Sequence, residues 1–397
     1  MRFILIGISD TSNYHPEKEV TSLISKSFHF SGGKRHYERV KHLLPEEHQW
    51  HGITIPLEPV LMGYESLDSI VVFVSGDPFF YGFGATLKRR FPNASFQNFP
   101  FFNSLQMHSH VINLPYEEMM CVSCTGRPWD RLNRALLEDQ ELIGVLTDRK
   151  KRPEVIAKHL LDAGYDNYEI SVGENLGGTS QRVVSMSLEE CSQQTFAPLN
   201  NIILKQKQSR DFTIGVSNDQ FTYLDGRPNM MTKPVYRLHT ISLMELHCRN
   251  VFWDIGFCTG SVSIEAQRLY PKLKCISFEK REESRSIIEE NIKKFGVPGI
   301  SYTIGDFLSL DHSQYAKPDA VFIGGHGGKL SEILSIVDSY LPANGVIATN
   351  AVKEESARIF IDKLLELGYI EQANSKIKLD DFNPVNVIVM RKSNKLK

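Results

Sequence analysis

A short loop in the second half of the chain carries residues whose types and spacing suit ligand binding. Residues 254–260 read Asp-Ile-Gly-Phe-Cys-Thr-Gly and overlap an apolar run at 251–255 that is typical of a buried strand. Glycines at a strand-to-helix turn let the backbone bend tightly and let a ligand approach. Glu279 lies nineteen residues after Gly260, at the end of the next strand pattern, where its carboxylate can accept hydrogen bonds from both ribose hydroxyls of an adenosine. The residues of this predicted nucleotide-type site are Gly256, Phe257, Cys258, Thr259, Gly260 and Glu279.

The glycine spacing favours S-adenosylmethionine over a dinucleotide as the ligand of this loop. Dinucleotide sites use G-x-G-x-x-G, in which the helix start faces a pyrophosphate. Here Gly256 and Gly260 remain, and Cys258 takes the middle position. A methyl donor has no pyrophosphate to bind, so it does not need the full motif. A strand-turn-helix without any ligand is the alternative, and the match at Glu279 counts against it.

Two later segments could complete the same site. Asp306 follows a predicted strand at 300–304, where its carboxylate can meet the exocyclic amine of adenine, although a turn aspartate after Gly305 is an equal alternative. Residues 323–328, Ile-Gly-Gly-His-Gly-Gly, leave backbone open to a large flat ligand or form a flexible turn. His326 within them could act as a base or could simply be solvated. The sequence identifies no catalytic residue.

The composition excludes several classes of protein. The chain has 397 residues, of which 41% are hydrophobic, and a formal net charge of -2, so a disordered chain and a dedicated nucleic-acid binder are both disfavoured. No apolar run approaches the roughly 20 residues that a membrane-spanning helix needs. Of the six cysteines, only Cys121 and Cys124 are close in sequence, and no second pair completes a metal site. We therefore expect a cytoplasmic protein without a metal.

The order of apolar patterns predicts two α/β domains. Continuous apolar runs at 3–6, 70–74 and 143–146 are typical of strands in a mainly parallel sheet, and 154–163 has helical spacing. Residues 205–211 are polar throughout and suit a linker. Beyond them, strands and helices alternate again, which predicts a doubly wound, Rossmann-like sheet. We predict domains at 1–208 and 209–397.

The second half resembles the decarboxylating precorrin methyltransferases that act at carbon 15 of a tetrapyrrole. This resemblance covers nearly all of residues 211–392 and implies that Thr232, the 256–260 loop, Glu279 and Asp306 bind S-adenosylmethionine. The Asn/Asp-Pro-Pro-aromatic motif of enzymes that methylate base or amide nitrogens is absent at 323–328. The motifs that carry the resemblance are Met230-Met231-Thr232-Lys233, Trp253-Asp254-Ile255-Gly256, residues 260–266, Phe322-Ile323-Gly324-Gly325 and Asn350-Ala351-Val352.

The first half resembles the tetrapyrrole methylase family, in particular the enzymes that methylate carbon 5. Residues 75–82 read Ser-Gly-Asp-Pro-Phe-Phe-Tyr-Gly, and Gly-Asp-Pro is also a turn signature. The resemblance spans about residues 1–204 and implies a two-lobed α/β fold that is not of the Rossmann type. At 7–10 the sequence Gly-Ile-Ser-Asp replaces the G-x-G-P-G that the family often has. The implied donor-binding residues are Gly76, Asp77, Pro78 and Ser104.

Together the two resemblances imply methylation of a precorrin-6-type tetrapyrrole at two bridging carbons, with loss of carbon dioxide from an acetate arm, in cobalamin biosynthesis. Basic residues suit the carboxylate arms of such a substrate. We also expect a homo-oligomer that binds no nucleic acid and no membrane. Two alternatives are an RNA or protein methyltransferase whose first half is a recognition module, and a tetrapyrrole carrier that has lost activity. The predicted substrate-binding residues are Lys34, Arg35, Arg127, Lys233, Gly324, Gly325, Asn350 and Lys353.

Overall fold

The computed structural model describes residues 1–9, 15–227 and 230–394. Asp10, which belongs to the departure from the family pattern at 7–10, lies outside the described residues. The chain divides into two compact units. The first comprises Met1–Pro128, Glu141–Lys158 and Asn167–Gln208, and the second comprises Trp129–Gln140, His159–Asp166 and Ser209–Lys397. No helix among the described residues has both the length and the apolar character needed to cross a bilayer.

A five-stranded parallel sheet opens the first unit, in the order β3-β2-β4-β1-β5. Alternate residues of β1 face two separate cores: Ile4 and Ile6 pack on one face, Phe3 and Leu5 on the other. Both faces are therefore buried, which explains the continuous apolar runs. The strands are β1 (Arg2–Ile8), β2 (His29–Gly32), β3 (Gln49–Gly52), β4 (Ser69–Ser75) and β5 (Ser95–Phe99). The helices are α1 (Lys18–Ser25), α2 (Lys34–Val40), α3 (Glu58–Tyr64), α4 (Phe83–Arg90) and α5 (Ser104–Val111).

A second sheet of the first unit has the order β6-β7-β10-β8-β9, and only β6 and β7 pair in parallel. The apolar run at 143–146 forms β7, so the prediction of a mainly parallel sheet is wrong there. A continuous apolar run indicates a strand that is buried on both faces, and central antiparallel strands can be buried in the same way. The strands are β6 (Met120–Ser123), β7 (Leu142–Leu146), β8 (Tyr168–Glu174), β9 (Arg182–Ser187) and β10 (Asn200–Gln206). The helices in this stretch of chain are α6 (Asp130–Leu137), α7 (Pro153–Asp162) and α8 (Leu188–Ser192).

The second unit contains a seven-stranded sheet in the order β13-β12-β11-β14-β15-β17-β16, antiparallel only at β17. The strand order reverses between β11 and β14, which is where doubly wound sheets bind ligands. Alternating residues of β11 separate its two cores, with Phe252 on one face and Trp253 on the other. The strands are β11 (Val251–Ile255), β12 (Lys274–Glu279), β13 (Ser301–Ile304), β14 (Ala320–Ile323), β15 (Val346–Ala351), β16 (Tyr369–Ile377) and β17 (Val385–Lys392). The helices are α9 (Pro234–Leu243), α10 (Ser261–Leu269), α11 (Ser284–Phe295), α12 (Leu330–Tyr340) and α13 (Glu354–Glu366).

The predicted fold class is confirmed, as a two-lobed unit precedes a Rossmann-like one. Helix α11 ends at Phe295, because Gly296 adopts φ 61° and caps it in the left-handed conformation. The predicted linker begins too early, since Lys205 and Gln206 belong to β10. The end of β10 was not recognised in the sequence because its last two side chains are polar. The domain boundary after residue 208 stays a prediction.

Candidate active sites

The turn after β11 is built by a close approach between two backbones. Gly256 has φ 77°, and a Cβ atom there would lie 2.4 Å from the carbonyl oxygen of Gly325. Glycine is therefore needed at residue 256 for this backbone contact as well as for the turn. Gly260, with φ 76°, starts α10. Cys258 has φ 53°, a conformation in which glycine is usual, and its burial raises the thiol pKa to about 11, so the thiol stays neutral near pH 7.

Glu279 is held at the end of β12 by four hydrogen bonds to its carboxylate. Oε1 accepts from the backbone amides of Lys280 (2.8 Å) and Arg281 (3.2 Å), and Oε2 accepts from the amide of Cys258 and from Nη1 of Arg281 (both 3.1 Å). A carboxylate has about four lone-pair positions. A ribose diol can therefore bond Glu279 when the Arg281 side chain, which is 29% exposed, moves aside.

A cavity of about 100 Å³, here called the β11 cavity, lies beside these residues. Of the predicted donor-binding residues, Gly256, Glu279 and Asp306 line it. Asp306 forms a turn, as the alternative interpretation of the sequence expects, because its Oδ1 accepts a hydrogen bond from the amide of Leu308 at 3.1 Å. Its Oδ2 lies 3.8 Å from Lys329 Nζ. Phe257, Cys258, Thr259 and Gly260 are packed behind the turn and do not line the cavity.

Two buried polar atoms beneath the same turn have no hydrogen-bond partner among the described residues. They are Oγ1 of Thr259 and Oδ1 of Asp254, and both residues are 1% exposed. Burial raises the pKa of Asp254 to about 7, although its other oxygen accepts from Ser263 at 2.7 Å. Neither Asp254 nor Thr259 lines the β11 cavity, so these atoms lie beneath the turn and not on a ligand-facing surface.

A second cavity of the same unit, of about 290 Å³, lies at the start of α9 and is called the α9 cavity. Its lining includes the predicted residues Thr232, Lys233, Gly324 and Asn350. Gly324 lines the α9 cavity and Gly325 lines the β11 cavity, so the two cavities meet at adjacent residues. Lys353 lines neither; it precedes α13, and its charge contributes, after burial, to a lowered pKa of His326.

The segment that carries Thr232 is anchored by a fully buried ion pair. Arg237 Nε lies 3.1 Å from Glu265 Oε2, and the two side chains are 0% and 1% exposed. Arg237 also donates to the carbonyl of Thr232 at 2.8 Å, and the other oxygen of Glu265 accepts from the amide of Gly215 at 2.7 Å. The pair therefore fixes the chain on both sides of residues 216–231 against α9 and α10.

In the first unit, a cavity of about 420 Å³ follows the ends of β1 and β4, and we call it the β4 cavity. Its lining includes Gly76 and Ser104, which are predicted donor-binding residues, and Arg35, a predicted substrate-binding residue. Gly76 has φ 61°, and its carbonyl oxygen would lie 1.9 Å from a Cβ atom on Gly7. Here too, glycines at two strand ends allow one backbone to touch the other.

The remaining predicted residues of the first unit shape the cavity from outside it. Asp77 Oδ1 accepts from the amide of Phe79 at 2.8 Å, so this side chain forms the turn, together with Pro78. The guanidinium of Arg127 lies 4.9 Å from the ring centroid of Tyr81, which lines the cavity. Lys34 begins α2 and does not line the cavity.

Sequence reasoning missed several residues that the fold brings to these cavities. Ser75 accepts from Arg35 Nη2 and pairs with His36 Nε2, both at 2.9 Å, although only the neighbouring Gly76 was singled out. Tyr236 and Arg237 lie on α9, and the sequence of this helix contains no motif that indicates a functional site. Arg281 belongs to a run of charged residues before α11, and the sequence does not distinguish it from its neighbours.

The seven-stranded sheet, its switch-point cavity and the carboxylate at the end of β12 are the layout of Rossmann-like nucleotide-binding folds, a group that includes the S-adenosylmethionine-dependent methyltransferases. The family models agree: the precorrin methyltransferase domain matches residues 224–385, and the tetrapyrrole (corrin/porphyrin) methylases match residues 57–192. The chain belongs to the precorrin methyltransferase family, and both resemblances drawn from the sequence are confirmed.

Some relatives match most of the chain and others match part of it. A Sinorhizobium protein named precorrin-6Y C(5,15)-methyltransferase (decarboxylating) is 29% identical over 92% of this chain and 88% of its own length. A Sulfurisphaera tokodaii protein named probable cobalt-precorrin-6B C(15)-methyltransferase (decarboxylating) is 31% identical, over 39% of this chain and 80% of its own. A crystal structure named precorrin-6y C5,15-methyltransferase, from Geobacter metallireducens, is 32% identical over 45% of this chain and 98% of its own, with a TM-score of 0.42.

Proposed function

We propose that the chain methylates two bridging carbons of a precorrin-6-type tetrapyrrole with S-adenosylmethionine and removes carbon dioxide from an acetate arm. The observation that carries this proposal is the match of a decarboxylating C(5,15)-methyltransferase over 92% of the chain. Two separate cavities in the two units, each bordered by predicted donor-binding residues, are consistent with two methyl transfers. The alternative of an RNA or protein methyltransferase has no comparable support.

The chemistry asks little of individual side chains. Bridging carbons of a reduced tetrapyrrole are enamine-like, because the pyrrole nitrogens push electron density onto them, and S-adenosylmethionine supplies an electrophilic methyl group. The protein must chiefly align the reacting carbon with that methyl group and exclude water. We assign Glu279 and Asp306 to the adenosine in the second unit, and Gly76 and Ser104 to the donor in the first. Thr232 and the 256–260 loop complete the second donor site.

We assign the decarboxylation to the second unit. An acetate arm can lose carbon dioxide when the conjugated macrocycle accepts the electron pair, so the site need only hold the arm and keep cations from stabilising the charged ground state. Gly324 and Gly325 lie where the α9 and β11 cavities meet and, with Asn350, are our candidate walls for such an arm. The substrate carboxylates that are retained would pair with basic residues, for which Lys34, Arg35, Arg127, Lys233 and Lys353 are our candidates.

The test is to incubate the full chain with precorrin-6B and S-adenosylmethionine and to weigh the product. We expect a gain of two methyl groups and a loss of one carbon dioxide. A Gly76→Ala variant, whose Cβ would lie 2.9 Å from Cα of Asn103, should still release carbon dioxide and add one methyl group. A Glu279→Ala variant should release no carbon dioxide and should add only the methyl group of the first unit. The opposite pattern would reverse the assignment of the two activities.

We also propose that the protein works in the cytoplasm as a homo-oligomer, without nucleic acid. Light scattering of the purified protein tests the oligomer: a mass near 45.2 kDa would show a monomer and contradict it.

A further inference from the structure

Buried polar groups in the α9 cavity lack hydrogen-bond partners among the described residues. They include Nζ of Lys233 and the hydroxyl of Tyr236, and both residues line the cavity. Tyr236 is only 5% exposed, so bulk water cannot easily replace a partner. The side-chain oxygen of Asn350 accepts a hydrogen bond from the Thr240 hydroxyl at 2.8 Å, whereas its side-chain nitrogen has no partner among the described residues. An unpaired buried polar group is costly, so these groups are poised for a ligand that fills the cavity.

The unpaired groups of Lys233 and Tyr236 can both donate, and one of them is a cation. Lys233 is also the residue that precedes α9, and no side chain among the described residues caps the amides of the first turn of that helix. A helix start and an ammonium group both favour an anion. Burial lowers the pKa of Lys233, and the negative charge of Asp380 opposes this shift without cancelling it. Nζ of Lys233 lies over the ring of Phe382 and donates no hydrogen bond to the described residues, so its hydrogens remain available to an anion.

Large apolar side chains surround this polar floor. Met230, Val352 and Phe382 line the same cavity and are 39%, 58% and 48% exposed. Exposed apolar side chains that gather at one cavity mark a binding surface. A ligand with a flat apolar body and a carboxylate arm would cover the rim and reach the floor together.

We propose that Lys233 and Tyr236 form a carboxylate-binding site, and that its occupant is a carboxylate arm that the tetrapyrrole retains. The identification of the ligand as a tetrapyrrole arm rests on the proposed function. The preference of the site for a carboxylate does not depend on it. Donors that stabilise a carboxylate oppose its loss as carbon dioxide, because the negative charge must leave those oxygens. The arm bound here is thus an anchor that presents the ring beside Gly324 and Gly325, where the two cavities meet.

Hydrogen exchange along α9 in the full chain tests the site without turnover. We expect uroporphyrin III, which carries eight carboxylates, to slow exchange in α9, and its octamethyl ester to have no such effect. S-adenosylhomocysteine and 5′-methylthioadenosine, which lacks the amino-acid carboxylate, form the second arm of the experiment. Slowing by S-adenosylhomocysteine alone would keep the carboxylate site but overturn the tetrapyrrole as its occupant. No slowing by any carboxylate would overturn the site.

The variant that separates binding from folding is Tyr236→Phe. It removes an unpaired buried hydroxyl, so the melting temperature should stay equal or rise, whereas the affinity for uroporphyrin III at this site should fall roughly 10- to 100-fold. Tyr223→Phe is the matched control, because Tyr223 is 41% exposed and lines a different cavity of the same unit. A lower melting temperature with unchanged affinity would assign Tyr236 a structural role only.

In turnover, an anchor and a reacting arm give different results. If the bound arm is retained, Tyr236→Phe should raise KM and leave the ratio of carbon dioxide released to methyl transferred unchanged. A changed ratio would show that the arm in this cavity is the one that is lost. A chain without methyltransferase activity would refute the proposed function, and the exchange experiment would still report on the carboxylate site.

Discussion

Replacement of Gly256 by alanine tests whether backbone contact at the switch point builds the donor site. Two costs apply to this change. The left-handed conformation, φ 77°, costs a non-glycine residue about 1–2 kcal/mol. The new Cβ would also lie 2.4 Å from O, 2.5 Å from N and 2.8 Å from Cα of Gly325, and displacing packed atoms costs about 1–3 kcal/mol more. The expected loss of stability is therefore about 2–5 kcal/mol.

Gly226 provides the matched control for this variant. It has φ 69°, yet a Cβ atom there would meet no atom of the described residues within 4 Å. Gly226→Ala should therefore show the conformational cost alone, about 1–2 kcal/mol. Both alanines restrict the unfolded chain equally, so this effect cancels between the variants.

The assays are thermal unfolding and calorimetric titration with S-adenosylhomocysteine. For a unit of this size, each kcal/mol lowers the melting temperature by roughly 2–4 °C. Gly256→Ala should melt lower than Gly226→Ala and should lose donor binding in the second unit, because the ends of β11 and β14 must separate. Equal melting temperatures and equal donor affinities in the two variants would refute the role of the backbone contact.

Three further predictions concern buried charges of the second unit. Calorimetry with S-adenosylhomocysteine should give about two sites per chain, and Glu279→Ala should weaken one of them by roughly 2–4 kcal/mol and leave the other unchanged; a loss at neither site would remove Glu279 from the donor site. The pKa of Asp254 is raised to about 7 in the folded protein, so its ionisation should destabilise the fold as pH rises from about 4 to about 7, by on the order of 4 kcal/mol in total. Urea titrations across this range should show that slope, and Asp254→Asn should remove it. Arg237→Met leaves Glu265 buried and unpaired and should cost about 3–5 kcal/mol in the same assay, whereas adding Glu265→Leu should restore most of the loss; an Arg237→Met variant as stable as the parent would contradict this.

Local patterns in the sequence predicted most of the fold because they reflect burial and backbone conformation directly. The apolar runs at 3–6, 70–74 and 251–255 correctly predicted the strands β1, β4 and β11. Burial does not report strand direction, however, so the same kind of run at β7 led to a wrong prediction of a mainly parallel sheet.

The candidate sites were predictable only where glycines and acidic residues follow strands. Gly76, Gly256 and Glu279 belong to motifs that mark a strand end, and the structure brings each of them to a cavity. Tyr236 and Arg237 could not be found in this way. Their importance comes from partners far away in the chain, or from the lack of a partner, and neither is visible in a local pattern.

The two units reach the same physical solution with different motifs. In each of them, two neighbouring parallel strands end side by side, β1 with β4 in the first unit and β11 with β14 in the second. At each pair of ends, a Cβ atom on one glycine would overlap the backbone of the glycine opposite: Gly7 against Gly76, and Gly256 against Gly325. The close approach removes side chains from the point where the strands end, which leaves backbone amides and carbonyls to face a cavity. In the proposed reaction, a methyl donor and a large ring come within bonding distance in that space, and a side chain there would hold them apart. The missing side chains, more than any single catalytic group, are therefore what the two glycine motifs have in common.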